Sequence, residues 1–121
     1  MTQIQGLIVG YSTEGEVKGC HVVCHGESVG SVKQATAATD KLLGVSTRVS
    51  TNATEHTDVV RSGLAVVTYG GTIKRGDPLT SDAQGRAIKA SSGNIIIGFA
   101  EEDGETDEVG SVFLMPGISS A

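Results

Sequence analysis

Four of the chain's five cysteine and histidine side chains fall in one six-residue run, Cys20-His21-Val22-Val23-Cys24-His25. Thiolate and imidazole are the donors that tetrahedral zinc prefers, so this run is the first candidate for chemistry. Its own alternation argues against a metal. In an extended strand Cys20, Val22 and Cys24 lie on one face and His21, Val23 and His25 on the other, so the segment cannot close a four-coordinate site alone. Further ligands would have to come from elsewhere, where only His56 remains and there is no other Cys. The three residues between the cysteines also miss the two-residue spacing of covalent haem attachment and of a redox Cys-x-x-Cys pair. Ordinary strand residues account for the run. A small metal- or ligand-binding β domain centred on residues 20–25 is kept as an alternative.

The second candidate is acidic. Glu101, Glu102, Asp103, Glu105, Asp107 and Glu108 crowd one stretch, and calcium requires several such oxygens. The alternating Asp/Asn spacing and terminal Glu of an EF-hand loop are missing, so a solvated hairpin is expected. Gly70-Gly71 and Gly76-Asp77-Pro78 read as turns, and no helix follows them to form a phosphate cradle. No serine sits in a nucleophile elbow, and His56 falls in a polar stretch. The chain offers no positive reason to be an enzyme, and neither cofactor nor small-molecule substrate is expected.

Strands must position all of these residues. Short apolar or alternating runs occupy residues 6–11, 17–25, 31–35, 42–47, 58–68, 73–74, 78–81, 86–90, 94–100 and 110–115. Residues 50–57 read as a loop, and no segment keeps a 3.6-residue period over a helix length. Eight to ten short strands at this spacing indicate an all-β barrel-like domain, tulip-like or sandwich-like, with little helix. Seventeen glycines against two prolines supply the tight turns, and with 3% aromatics the core must be Val, Ile, Leu and Ala.

The chain also repeats itself. Residues 17–35 read against 73–90: Gly19 falls near Gly76, Val22-Val23 near Pro78-Leu79 and Gly30 near Gly85. Leu42-Leu43-Gly44-Val45 matches Ile96-Ile97-Gly98-Phe99, and Thr57-Asp58-Val59-Val60 matches Thr106-Asp107-Glu108-Val109. One barrel or sandwich closed by two pseudo-equivalent halves is expected, with repeats at about 17–67 and 73–115 in a single domain spanning 17–115. Residues 1–16 form an N-terminal arm or first strand, and 116–121 a flexible tail.

Charge limits the partners. Residues 99–121 carry six acids and no Lys or Arg, while the other 98 residues hold eight acids and nine bases. A formal charge of −5 without a basic run opposes nucleic-acid binding, and the scarcity of aromatics removes the stacking platforms single strands use. Neither a secretory signal nor a membrane span is visible, so membrane association is not expected and both cysteines should remain thiols.

The recurring phrase is a Gly, a strand, a small turn, then Val/Ile-Lys-x-Ala and a hydrophobic-Gly-hydrophobic step. Its fullest copy is residues 73–100, and residues 34–46 repeat its second half. This pattern resembles the capsid cement, or head decoration, proteins of tailed bacteriophages, specifically the short Gly-rich cement family. The resemblance implies a non-enzymatic protein, made in the host cytoplasm, that binds the outer surface of an assembled head. It implies the major capsid protein as partner, a homotrimer, and stabilisation by bridging capsid subunits. A structural module of another virion part, a fibre base or tail component, is the alternative. The stretch before the repeat offers Ile4, Leu7, Ile8, Val9 and Tyr11 as capsid or subunit contacts, by strand addition to an exposed edge or as the first strand of the chain's own barrel.

Overall fold

The computed structural model describes residues 7–38, 40–47 and 56–118. Ten strands account for the described fold: β1 (Ile8–Thr13), β2 (Val22–His25), β3 (Ser31–Gln34), β4 (Leu42–Ser46), β5 (His56–Val60), β6 (Gly63–Thr68), β7 (Pro78–Ser81), β8 (Ala87–Lys89), β9 (Ile95–Ala100) and β10 (Val109–Ile118). The first five close into a barrel in the order β1-β3-β2-β4-β5, with β1 and β3 parallel and β5 returning antiparallel to β1. The second five form a sheet in the order β6-β10-β9-β7-β8. A parallel bridge from Tyr69 to Ala87 brings the end of β6 back to β8. Each repeat therefore builds its own five-stranded unit with one topology. This differs from a single barrel shared between two halves.

Strand register settles the internal alignment. Val23 pairs with Gln34 and Leu79 with Lys89, while Val23 faces Gly44 and Leu79 faces Gly98. The matches of Val22-Val23 to Pro78-Leu79 and of Gly44 to Gly98 thus hold in three dimensions. Others shift. Val60 corresponds to Phe113, because Ile8 pairs with Val60 as Leu64 pairs with Phe113, so the match to residues 106–109 was four residues early. The same pairs put β1 inside the first unit and β6 at the head of the second, which moves the repeats to about 8–60 and 63–118. The run 58–68 is not one strand: it turns at Arg61-Ser62, and Gly63 adopts a φ of 85° that a β-branched residue would resist. Flanking apolar residues on both sides hid this turn.

Two further expectations change. Residues 116–118 are not tail: β10 continues to Ile118, pairing Gly117 with Ile96 and Ile118 with Ile95. Its register shifts between Leu114 and Gly117, where Pro116 has no N–H for the ladder. Residues 73–74 form no strand, only a bridge from Ile73 to Gly104.

Packing follows the duplication. A small cluster of Val17, Val23, Val32, Leu43 and Val59 fills the first barrel. Their equivalents Ile73, Leu79, Ala87, Ile97 and Val112 fill the second and lie within a larger cluster. That cluster also holds Val22, Cys24, Ala35, Val45 and Val60, with Ile8 and Leu42 packed against it. These belong to the outer face of the first barrel, which is thus buried against the second. Strands buried on both faces explain why β2 reads as a continuous apolar run. Each such valine contributes about 1.5–3 kcal/mol by leaving water.

The repeated glycines have a reason in this packing. A Cβ on Gly44 would lie 2.9 Å from Val59 Cγ1 and closer to the Val60 carbonyl, and one on Gly98 would lie 2.9 Å from Leu114 Cα. The hydrophobic-Gly-hydrophobic step is where β4 crosses close to β5, and β9 to β10.

Candidate functional site

The cysteine–histidine run turns out to hold the two barrels together. β2 begins only at Val22, and Cys20 is not on its face. Cys20 instead occupies the left-handed region with φ 58°, the position filled by Gly76 (φ 94°) in the second repeat. A non-glycine there costs roughly 1–2 kcal/mol and must be held by its surroundings. Its N–H donates to Thr47 O at 2.9 Å, and its carbonyl accepts from Thr68 N at 2.7 Å. Two residues on, Val22 N donates to Gly85 O at 2.7 Å. In the first barrel the equivalent groups, Ser12 N and Gly30 O, bond each other directly at 3.0 Å. Residues 20–22 are thus inserted between β6 and the turn before β8, which is why the second unit closes through a single bridge.

Two side chains of the run, His21 and Cys24, make polar contacts within the fold. His21 Nδ1 lies 2.8 Å from Gly19 O, and His25 is exposed. Cys24 is buried in the shared core with its Sγ 3.9 Å from Asp40 Oδ2. Burial, and then the Asp40 charge, push its thiol pKa up, away from the thiolate that metal binding or nucleophilic attack needs. No disulfide joins Cys20 and Cys24. Among the described residues no group of three or more His, Cys, Asp and Glu side chains is arranged to hold a metal. His56 opens β5 opposite Ser12 and is exposed, so it is a strand residue where a loop was expected.

The acidic stretch forms a wide loop between β9 and β10, and most of its carboxylates bind the backbone and side chains around it. Glu108 accepts from Glu105 N at 2.7 Å, and Asp103 from Arg75 N at 2.7 Å. Glu105 accepts from Thr72 Oγ1 at 2.8 Å, and Asp107 from Arg86 at 3.0 Å. Beneath this loop lies Tyr69, fully buried, donating its hydroxyl to Glu102 O at 2.9 Å. Burial, reinforced by Glu102 and Asp103, pushes the Tyr69 hydroxyl up to about 12.

Carboxylates also organise the β2–β3 and β7–β8 turns, from opposite sides. Glu14 accepts from Ser31 Oγ at 2.5 Å and from the N–H groups of Glu27 and Ser28, which hold its carboxyl below the usual range. Gly26 leaves room for it: a Cβ there would lie 2.6 Å from Glu14 Cδ. In the second repeat the residues exchange places. Gly70 stands where Glu14 does, and Asp82 where Gly26 does, accepting from Gln84 N at 2.9 Å and Arg86 N at 2.8 Å. Asp107 and Asp82 together raise the pKa of Arg86. A polar groove of about 480 Å³ opens beside it, lined by Lys18, His21, Thr68, Gln84, Arg86 and Asp107.

Of the N-terminal candidates, Ile4 lies outside the described residues. Leu7 is exposed. Ile8 packs against the shared core and Tyr11 against the first barrel's core, its hydroxyl accepting from Arg61 at 2.8 Å. Val9 is half-buried in β1 opposite Val59. Among the described residues, Leu7 is exposed while Ile8 and Tyr11 pack towards different core clusters. A grouped apolar surface lies elsewhere. Phe113 is 40% exposed in β10, flanked by Leu64 of β6 and Phe99 of β9 in direct register, with Met115 two residues on. Sequence reasoning passed over this face, although the alternation Val112-Phe113-Leu114-Met115 was its visible signal.

A sequence profile described as phage cement protein matches residues 6–115. The chain belongs to the phage cement protein family. The match runs from just before β1 into β10 and so takes in both units of this chain. Comparison with curated proteins returned no match. Among solved structures, the head fibre gp8.5 N base in bacteriophage phi29 is similar in fold, with a TM-score of 0.69 and 15% identity, covering 90% of this chain and 93% of that one. Family membership makes this a phage capsid cement component and agrees with residues committed to packing and turns.

Proposed function

We propose that this cement protein binds the outer surface of the assembled head, contacts the major capsid protein, and stabilises the shell by bridging neighbouring subunits as a homotrimer. The observation that carries the reading is the family match across residues 6–115. The acidic, aromatic-poor surface suits an exterior position better than one facing DNA. A ligand that binds the assembled lattice and not free subunits adds its binding free energy to the lattice alone, opposing rupture by packaged DNA. Multivalent attachment makes modest single contacts collectively strong. Exposed Leu7, with Ile4 preceding it, is the part of the N-terminal stretch offered to the capsid. Ile8, Val9 and Tyr11 would support it from β1.

The test is electron microscopy of heads lacking the protein, before and after its addition, with the temperature of DNA release measured on both. Added density at regular lattice positions and a raised release temperature are expected; bare heads of unchanged stability would refute the reading. The fold likeness to a head fibre base supports a second reading, a seat for an appendage. Copy number separates them, hundreds per virion for cement against few for an appendage.

A further inference from the structure

We infer that the polar groove where residues 20–22 enter the second barrel binds a single acidic side chain of a protein partner. The partner's place on the head rests on the proposed function, and the inference deepens that reading by naming the chemistry of one contact. The groove exists because the second barrel is held open. In the first, Ser12 N donates directly to Gly30 O, and β1 closes on β3. Thr68 and Gly85 are the equivalents of Ser12 and Gly30, since Tyr69 bridges Ala87 as Thr13 pairs with Val32. These two do not meet: Thr68 N donates to Cys20 O and Gly85 O accepts from Val22 N, each at 2.7 Å.

Beside the inserted backbone lies the groove of about 480 Å³. Ligand clefts measure roughly 300–1,000 Å³ and favour the junctions between domains. Lys18 and His21 line this one from the first barrel, and Thr68, Gln84, Arg86 and Asp107 from the second. The charges on the lining, Lys18 and Arg86 against Asp107, leave one positive charge over.

The polar atoms left over in the groove are mostly donors. Arg86 gives Nε to Asp82 at 2.8 Å, Nη1 to Asp107 at 3.0 Å and Nη2 to Gln84 Oε1 at 3.1 Å. These bonds fix the guanidinium and leave one N–H on each Nη. Lys18 Nζ has no carboxylate partner among the described residues, and neither Thr68 Oγ1 nor the Gln84 side-chain nitrogen makes a hydrogen bond there. Gly19 O can only accept, so His21 Nδ1, 2.8 Å away, carries a proton. One carboxylate completes the set: it neutralises the ammonium and accepts from the hydroxyl and amide donors. Asp107 already shows the fit, reaching Arg86 from the left-handed region at φ 68° with a side chain 72% exposed. An exposed ion pair of this kind is weak singly and adds up over many copies on one shell.

The test is an NMR titration of the full chain with the blocked peptide acetyl-Gly-Glu-Gly-amide, followed at the imidazole signals of its three histidines. His25 and His56 are exposed and do not line the groove, so they serve as internal controls. The His21 signal should shift saturably with a Kd near about 1 mM, and its titration midpoint should rise as the bound carboxylate favours the imidazolium. The Gln version of the peptide, which lacks the charge, and sodium acetate, which lacks the flanking chain, should each bind about tenfold more weakly. Lys18→Met should lose a similar factor, and Lys18→Arg should keep the affinity. An unmoved His21, equal shifts at all three histidines, or Lys18→Met binding as wild type would each overturn the inference. So would acetate matching the peptide, which would make the groove a small-anion site. Adding the variants to bare heads separates this contact from the cement reading. Lys18→Met decorating heads like wild type would overturn the inference and leave that reading intact. Wild type that never decorates heads would refute that reading, while saturable peptide binding would still support the groove.

Discussion

Replacing Gly110 by alanine should destabilise this protein by about 2–3 kcal/mol, although it adds one methyl group. Gly110 is buried in β10 opposite Val67, beneath the Tyr69 ring. A Cβ there would lie 2.6 Å from Tyr69 Cε2 and closer to Cζ and the hydroxyl. The ring has little freedom to retreat. It is fully buried, its hydroxyl is bonded to Glu102 O at 2.9 Å, and Gly104 packs on the same edge, where a Cβ would be 2.6 Å from Cε2. Without such a clash the substitution should stabilise by about 0.4–1 kcal/mol, because alanine restricts the unfolded chain. The two expectations therefore differ in sign. Urea denaturation at pH 7 measures the loss, and a thermal scan should show a drop of roughly 8–12 °C for a domain of this size. The control is the same substitution in a Tyr69→Leu background, where the obstructing ring atoms are gone. There it should be neutral or stabilising, a coupling of about 2–4 kcal/mol. An equal loss in both backgrounds would refute the reasoning.

Two predictions test the carboxylate and phenol chemistry of the turns and loop. Because the Tyr69 hydroxyl is raised to about 12 in the fold, its neutral form contributes stability fully present below about pH 10 and lost as pH rises towards 12. Wild type should thus lose about 2–3 kcal/mol relative to Tyr69→Phe over that window, and a constant gap from pH 9 to 12 would count against it. Glu14 and Gly26 should be exchangeable as a pair: Gly26→Asp alone crowds two carboxylates and Glu14→Gly alone removes the acceptor for Glu27 and Ser28. The double variant, copying Gly70 and Asp82, should then be more stable than either single one in urea melts. In wild type the lowered Glu14 pKa means its contribution is present above about pH 4.5 and fades as pH falls through the folded value.

Several features were legible because they are local. Short alternating runs and abundant glycines define an all-β chain, and the Gly44 and Gly98 steps align correctly by residue type alone. The turn at Arg61-Ser62 was not legible, since Val59-Val60 and Leu64-Ala65 on either side read as one strand. The Cys20–His25 run reads in sequence as ordinary strand residues, and its part in the fold was not legible there. Its residue types suggested metal chemistry, but what matters is the backbone of Cys20 and Val22, bonded to Thr68 and Gly85 more than forty residues away.

Composition and repetition by themselves determined a duplicated β scaffold and the cement-family resemblance, because strand period and turn chemistry are properties of neighbouring residues. Only tertiary structure decided that each repeat closes its own five-stranded unit, that one barrel's outer row is buried and the other's exposed, and that Glu14 with Gly26 is answered by Gly70 with Asp82. Those outcomes depend on which strands meet across long separations. Equivalent positions in a duplicated chain acquire different surroundings once one copy packs on the other.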